Sequence, residues 1–254
     1  MQDPFMILKP KFYLNSNVVE VARLLIGKVL VTRFENKLTS GIIVETEAYA
    51  GTDDRASHAW NGKITPRNRV MFEQGGVAYI YLCYGIHSLF NVVTNVAGTP
   101  HAVLIRGITP LDGVDIMLAR RGKTYLKPSD GIGPGKVSML LGIHYSHSGL
   151  PLTGSESSSL QIWIEDRGAL TNGEIRTTTR IGVDYAGKDA LLPYRFVMDI
   201  KKAPINGDNK IACPSPEKGS IDSAIPKITV SKAQKIPALS PVAIFIFRFP
   251  SCCS

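Results

Sequence analysis

The hydrophobic and polar positions along the chain alternate mainly with a period of two, in short runs rich in β-branched residues and separated by glycine-containing turns. Such runs are typical of β-strands. The strands predicted in this way cover residues 29–34, 41–49, 77–82, 89–96, 102–108, 160–165, 175–181 and 194–200. The first two are joined near Asn36, and a turn at residues 84–86 separates the third from the fourth.

Three segments are predicted as helices, and the first and third have apolar residues at helical spacing. The first covers residues 15–25 behind an Asn15 or Ser16 cap. The second, residues 112–121, begins with an acidic residue and ends with basic ones, as the helix dipole favours. The third begins at residues 133–136. Strands outnumber helices and no regular β-α-β repeat occurs, which predicts an α+β fold: a single domain with a curved, mainly antiparallel β-sheet surrounded by short helices and long loops.

Two segments show neither period. Residues 50–76 contain four glycines, one proline and scattered charges, so they form a long loop of the kind that is more often functional than idle. Residues 201–254 contain seven prolines and no aromatic residue before Phe245, and cannot bury enough apolar surface to offset their ordering entropy. We therefore expect a folded domain over residues 1–200 and a disordered basic tail over residues 201–254.

The composition, 44% hydrophobic and 20% charged, excludes disorder over most of the length. A net charge of +8 and a pI near 9.3 favour an anionic partner such as nucleic acid, although the last 54 residues hold most of the excess positive charge.

The longest apolar stretch, residues 242–247, is too short to span a bilayer, so no membrane association is expected. The four cysteines lack metal-ligand spacing, which predicts reduced thiols inside the cell.

The second predicted strand ends with Glu45, Glu47 and Tyr49 on one face, because successive side chains of a strand alternate. Its other face is apolar and packs against a core. Two carboxylates beside an aromatic ring suit acid–base chemistry or metal binding, although a solvated face is the commonest reason for such a pattern.

The long loop and the hairpin after it add further candidate chemistry. The turn Thr-Pro-Arg-Asn-Arg at residues 65–69 is basic and suits phosphate oxygens. Tyr79, Tyr81 and Tyr84 fall within six positions, and Tyr84 lies at a hairpin tip. An aromatic ring is unfavourable in water there unless it inserts into a partner, whereas tyrosines on a strand more often pack in a core.

These motifs continue as an ordered series along the chain. The series comprises Glu-Thr-Glu-Ala-Tyr at 45–49, Gly51, Asp53, His58, Thr-Pro-Arg-Asn-Arg at 65–69, Met71-Phe72, Tyr79-Ile80-Tyr81, Tyr84-Gly85, Asn91 and Val-Leu-Ile-Arg at 103–106. In this order it resembles the alkyladenine (3-methyladenine) DNA glycosylase family. Weaker similarity continues at residues 133–136, 180–183 and 195–196, so the resemblance covers about residues 10–200. The resemblance implies a DNA repair enzyme that hydrolyses the N-glycosidic bond of alkylated and deaminated purines in double-stranded DNA and so starts base excision repair.

The resemblance also assigns a base pocket. An enzyme that attacks this bond has to flip the nucleotide out of the duplex, because stacking shields the bond. The resemblance implies that Tyr49, His58 and Tyr81 sandwich the flipped base and that Tyr84 is the wedge inserted through the minor groove. It implies that Asn91 excludes the 2-amino group of an undamaged guanine by steric clash.

For catalysis, the resemblance implies that Glu47 is the general base that activates a water molecule for attack on the sugar C1′. Arg106 and the backbone carbonyl of Ile181 would hold that water, and Glu45 would be structural. No lysine occupies an equivalent place, so neither a Schiff base nor strand cleavage is expected. Neither a metal ion nor another cofactor is expected.

We expect Arg67 and Arg69 of the basic turn to contact the DNA backbone, together with Lys136 at a helix N-terminus that suits a phosphate. We expect a monomer that acts in the cytoplasm or nucleoid of a bacterium, or in the nucleus of a eukaryote.

Two other functions stay open at this point. A DNA-damage-binding protein would flip bases without hydrolysing them, and the presence of Glu47 and Arg106 counts against it. A metal-dependent hydrolase would use a carboxylate cluster of Glu45, Glu47, Asp53 and Asp54.

Overall fold

The computed structural model describes residues 6–154, 159–168 and 173–198. These residues all belong to one unit of the chain, Met1–Pro214. The predicted tail at 201–254 and the last two residues of the final predicted strand lie outside the described residues.

Strands form most of the regular structure in the described part of the chain. They are β1 (Met6–Ile7), β2 (Val29–Phe34), β3 (Lys37–Tyr49), β4 (Ala78–Cys83), β5 (His87–Thr94), β6 (His101–Pro110), β7 (Leu160–Asp166), β8 (Ile175–Thr178) and β9 (Arg195–Met198). The α-helices are α1 (Pro10–Tyr13), α2 (Val18–Leu24), α3 (Val114–Arg121) and α4 (Pro134–Leu141). Short 3₁₀-helical segments occur at Gly51–Asp53, Trp60–Gly62, Arg69–Phe72, Pro128–Gly131, Tyr145–His147 and Asp184–Leu191.

All of these strands join one antiparallel sheet, in the order β1-β7-β2-β3-β6-β5-β4, with β9 also paired to β3 and β8 paired to β9. Strand β3 is the centre of the sheet. One of its edges pairs with β6, and the other pairs first with β2 and then with β9. Its register with β6 shifts on both sides of Glu45, and such irregularities increase twist and bend. The sheet therefore curls into a half-barrel, which confirms the predicted α+β class with a curved antiparallel sheet.

The strand bounds follow the alternation of the sequence closely, with two informative differences. β2 has the predicted bounds, but β3 begins four residues before its predicted start. Glu35 and Asn36 both adopt positive φ, which gives a two-residue turn that lets pairing continue up to the hairpin end. β8 stops at Thr178 rather than at residue 181, because Arg180 turns inward to pair with Asp54.

The predicted cap of the first helix was wrong, because Asn17 occupies this position. Its side chain accepts hydrogen bonds from the backbone N–H groups of Val19 and Glu20, which are free at a helix start. Asn15 instead accepts a hydrogen bond from the backbone N–H of Asn17.

Helices α2, α3 and α4 cover one side of the curled sheet and bury the main core between them. Fully buried side chains from both layers meet there, among them Ile43 of β3, Phe90 of β5, Ile105 of β6, Met117 of α3 and Leu140 of α4. The C-terminal end of β3, at Tyr49, and the loop that follows it contribute to the candidate active site described below. In the described parts of the chain, none of the helices has the length and apolar character needed to cross a membrane.

Candidate active site

A cavity of about 260 Å³ opens where β3, β4, β5 and β6 meet the loop after β3 and the segment after β8. Seven residues predicted for base binding, wedging or catalysis line it: Tyr49, His58, Tyr81, Tyr84, Asn91, Arg106 and Ile181. Tyr49 and Ile181, which are 132 positions apart in the sequence, thus meet at one pocket, and Glu47 lies beside them.

Glu47 is completely buried, in contrast to a carboxylate on a solvated face. Its Oε1 accepts a hydrogen bond of 2.8 Å from the backbone N–H of Ile181, and its Oε2 accepts one of 2.9 Å from the Tyr49 hydroxyl. The Arg106 guanidinium lies 3.3 Å from Oε1 and 3.4 Å from Oε2. Burial raises the pKa of Glu47, while the charge of Arg106 and these hydrogen bonds oppose that rise. The balance gives a carboxyl group whose proton affinity is higher than usual, which suits a general base.

Glu45 is also buried, and it connects two arginines. Its Oε1 accepts hydrogen bonds of 3.0 Å from Nε of Arg106 and 2.7 Å from Nε of Arg195. Arg106 is thus fixed between the two carboxylates, with Glu45 on one side and Glu47 on the other. The expectation that Glu45 is structural fits this contact, since it orients the cation that faces Glu47.

Aromatic rings form the walls of the pocket. The His58 and Tyr81 rings lie edge to face, with centroids 4.6 Å apart, and Nδ1 of His58 is 2.9 Å from the Tyr79 hydroxyl. Burial of the ring and the nearby charge of Arg67 lower the pKa of His58 to about 4. The imidazole is therefore neutral at neutral pH.

Tyr49 also lines the pocket, and its hydroxyl holds Glu47. Burial, followed by the charge of Glu47, raises the pKa of Tyr49 well above its ordinary value, so the hydroxyl stays protonated and can donate.

Asn91 lies on β5 and is almost completely buried. Its Nδ2 donates hydrogen bonds to the backbone carbonyls of Tyr79, at 3.1 Å, and Leu89, at 3.2 Å. The side chain is therefore held in one orientation while it lines the pocket. A rigid polar group of this kind can exclude a ligand by shape.

The tip of the β4–β5 hairpin projects the predicted wedge. Tyr84 and Gly85 both adopt positive φ, as the two central residues of a type I′ turn require. Tyr84 is 92% exposed and Ile86 is 74% exposed. The prediction that Tyr84 lies at a hairpin tip is thus confirmed by position, and the ring borders the mouth of the pocket.

The three predicted phosphate-binding residues are exposed at different places. Arg67 and Arg69 line a shallow groove next to the pocket, which Tyr81 and Tyr145 also border. Lys136 lies in the first turn of α4, and its Nζ donates a hydrogen bond of 3.0 Å to the backbone carbonyl of Ser129.

A buried ion pair behind the pocket was missed by the sequence analysis. Arg180 donates hydrogen bonds of 2.5 Å and 2.9 Å to the two carboxylate oxygens of Asp54, and both side chains are almost inaccessible. Arg180 also donates to the backbone carbonyl of Ala48 and lies over the Tyr49 ring. The pair therefore holds the segment before Ile181 against the end of β3. The only signals in the sequence were the weak similarity at residues 180–183 and the acidic pair 53–54.

The carboxylates proposed for a metal-dependent hydrolase do not form one cluster. Glu45 and Glu47 are bound by Arg106, Asp54 is bound by Arg180, and Asp53 is exposed. No group of three or more potential metal ligands of the His, Cys, Asp and Glu types occurs within the described residues.

Comparison with known proteins finds relatives that match most of the described part of the chain. The sequence profile of the family described as "Methylpurine-DNA glycosylase (MPG)" matches residues 11–202. A protein of Chlamydia felis named "Putative 3-methyladenine DNA glycosylase" is 48% identical over 199 residues, which cover 78% of this chain and 98% of the relative. A protein of Bacillus cereus strain G9842 with the same name is 41% identical over 192 residues, which cover 74% of this chain and 93% of the relative.

Proposed function

This chain belongs to the methylpurine-DNA glycosylase family, and from this premise we propose that it is a monofunctional DNA glycosylase that removes 3-methyladenine, other alkylated purines and deaminated purines from double-stranded DNA. The observation that carries the proposal is the completely buried Glu47, held by Arg106 at the edge of an aromatic pocket.

In the proposed reaction, Glu47 accepts a proton from a water molecule whose oxygen attacks C1′ of the flipped nucleotide. The N-glycosidic bond breaks, and its electron pair leaves with the base. Arg106 orients the water and Glu47, as its contacts with both carboxylates support. The backbone N–H of Ile181 donates a hydrogen bond to Glu47, so this peptide segment lies next to the carboxylate. The backbone carbonyl of Ile181 is therefore a candidate ligand for the same water.

Tyr49, His58 and Tyr81 sandwich the flipped base in this proposal. A cavity of about 260 Å³ with aromatic walls supports the assignment, because stacked rings offset the loss of base stacking in the duplex. Tyr84 fills the gap that the flipped base leaves, and its 92% exposure at a hairpin tip supports the role of a wedge. Asn91 excludes undamaged guanine by shape.

DNA binding in this proposal combines the wedge with charge. Arg67 and Arg69 contact the phosphates of the strand that enters the pocket, and Lys136 contacts phosphate beside the hairpin. Proximity supports the placement of Lys136, because its neighbour Gly135 lies against His87 of the hairpin. The protein acts as a monomer on chromosomal DNA. In bacteria, which include the sources of the compared relatives, this DNA lies in the nucleoid.

The reaction stops at base release. None of the described residues that line the pocket is a lysine, which supports hydrolysis by water rather than a Schiff base with the sugar.

The decisive variant is Glu47→Gln, which keeps the size of the side chain but cannot accept the proton. We expect release of 3-methyladenine from alkylated duplex DNA to fall by about 100-fold or more, while binding to lesion-containing DNA persists. Glu73→Gln, at an exposed glutamate, is the matched control and should keep full activity. Full activity of Glu47→Gln would overturn the mechanism.

The same assay separates the other two functions. A DNA-damage-binding protein would bind lesion DNA tightly while the wild-type chain releases no base. A metal-dependent hydrolase would lose activity in the presence of a chelator, which the proposed glycosylase tolerates.

A further inference from the structure

Both tyrosines of the proposed base sandwich carry a guanidinium over one face. Cζ of Arg67 lies 4.8 Å from the centroid of the Tyr81 ring, and Cζ of Arg180 lies 4.9 Å from the centroid of the Tyr49 ring. These distances are those of cation–π contacts.

Both guanidiniums lie outside the lining of the base pocket. Arg67 is not among the described residues that line the base pocket, and it borders the neighbouring groove together with Tyr81. Tyr81 is thus the wall between pocket and groove. The Arg180 side chain is completely inaccessible and lies between the rings of Tyr49 and Tyr194, also outside the pocket lining.

A cation on one face of a ring changes what the other face attracts. The ring's negative quadrupole already stabilises the guanidinium, and the positive charge behind the ring repels a second cation stacked in front of it. A neutral base stacks without this penalty. Since Arg67 is exposed, solvent screens its charge in part, and the expected effect is modest.

Alkylation distinguishes two classes of damaged purine by charge. A 3-methyladenine in DNA carries a positive charge, whereas the deaminated base hypoxanthine is neutral. With 3-methyladenine bound, the site therefore holds one more positive charge than with hypoxanthine bound, both before and during bond cleavage. Electron-rich tyrosines alone would favour the cation.

We propose that Arg67 is a specificity-determining residue that reduces the preference of the base pocket for positively charged lesions over neutral ones. This inference rests on the proposed function. It gives Arg67 a second role beside the phosphate contact, because a guanidinium can stack on a ring with its plane while its N–H groups face outward.

The test compares kcat/KM for release of 3-methyladenine and of hypoxanthine from duplex DNA, using the full chain. Neither base has a 2-amino group, so exclusion by Asn91 does not enter the comparison. We expect Arg67→Met to raise the ratio of 3-methyladenine to hypoxanthine release by about threefold. Arg67→Lys, which keeps a positive charge near the ring, should stay closer to the wild-type ratio.

Arg69→Met is the matched control, because Arg69 borders the same groove. Loss of a phosphate contact weakens binding of every substrate alike, so this variant should lower both activities and leave their ratio unchanged. An unchanged or lower ratio in Arg67→Met, with both bases released by the wild-type chain, would overturn the inference alone. If the wild-type chain releases neither base, the proposed function fails and the inference fails with it.

Discussion

The Tyr49 hydroxyl donates a hydrogen bond of 2.9 Å to Oε2 of Glu47, two residues earlier on the same strand. Residues i and i+2 share one face of a strand, so the sequence spacing alone brings the two groups together. The ring proposed to stack on the base therefore also holds the carboxylate proposed to activate water. Base binding and acid–base chemistry are connected at this one contact.

Tyr49→Phe keeps the stacking surface and removes that hydrogen bond. The bond stabilises the charged form of Glu47, so its loss should raise the pKa of Glu47 further. A general base works when deprotonated, and activity falls as pH decreases through its pKa. We expect the acidic limb of the single-turnover rate to move to higher pH in Tyr49→Phe, with most activity retained at alkaline pH.

The same pH profile identifies the group that titrates. His58→Gln should leave the acidic limb where it is, because the pKa of His58 is already lowered to about 4 and the imidazole is neutral above that range. If the acidic limb disappears in His58→Gln, the titrating group is the imidazole of His58 and not the carboxylate of Glu47.

Asp54 and Arg180 form a buried pair, and removal of one partner should be costly. Asp54→Asn leaves the Arg180 guanidinium buried without its counter-charge, for which we expect a loss of about 3–5 kcal/mol in the free energy of unfolding. Its neighbour Asp53 is exposed, so Asp53→Asn should change that free energy by less than about 0.5 kcal/mol. Urea denaturation of both variants measures the difference, and equal stabilities would contradict the role given to the pair.

Tyr84 should matter for activity but not for stability. It is 92% exposed, so Tyr84→Ala should change the free energy of unfolding by less than about 0.5 kcal/mol. Flipping a base out of the duplex costs a few kcal/mol of stacking and pairing energy, and Tyr84 is proposed to offset part of this cost. Without the tyrosine ring, kcat/KM for duplex DNA should therefore fall by about tenfold or more. Tyr125→Ala, at a 51% exposed tyrosine outside the pocket lining, is the control. Equal kcat/KM values for the two variants would argue against intercalation.

The local parts of this fold follow from the sequence, because they depend on the alternation of side chains and on turn residues. That is why β2, the tip position of Tyr84 and the shared face of Glu47 and Tyr49 were predicted correctly. A pattern with a period of two also decides the fold class, since strands outnumber helices without a β-α-β repeat.

The electrostatics of the site depend on partners that are distant in sequence. A solvated face was the commonest explanation for Glu45 and Glu47, yet both are buried. Burial is tolerated because Arg106 is placed opposite them by the register of β3 with β6, and Arg195 by the register of β3 with β9. Register between distant strands is set by packing in three dimensions, and the sequence pattern does not specify it.

Asn91 tests whether the shape of the pocket sets the choice of base. The side-chain amide of Asn91 is held by hydrogen bonds to the backbone carbonyls of Tyr79 and Leu89. A smaller side chain at this position should therefore enlarge the pocket where the amide now lies. In Asn91→Ser we expect release of 7-methylguanine, which has a 2-amino group, to rise by about tenfold relative to hypoxanthine, which lacks one. Loss of the two hydrogen bonds should also lower the free energy of unfolding by about 1–3 kcal/mol. Because both bases are measured with the same variant, this loss of stability cancels in the ratio. A ratio equal to that of the wild-type chain would show that Asn91 does not exclude the 2-amino group.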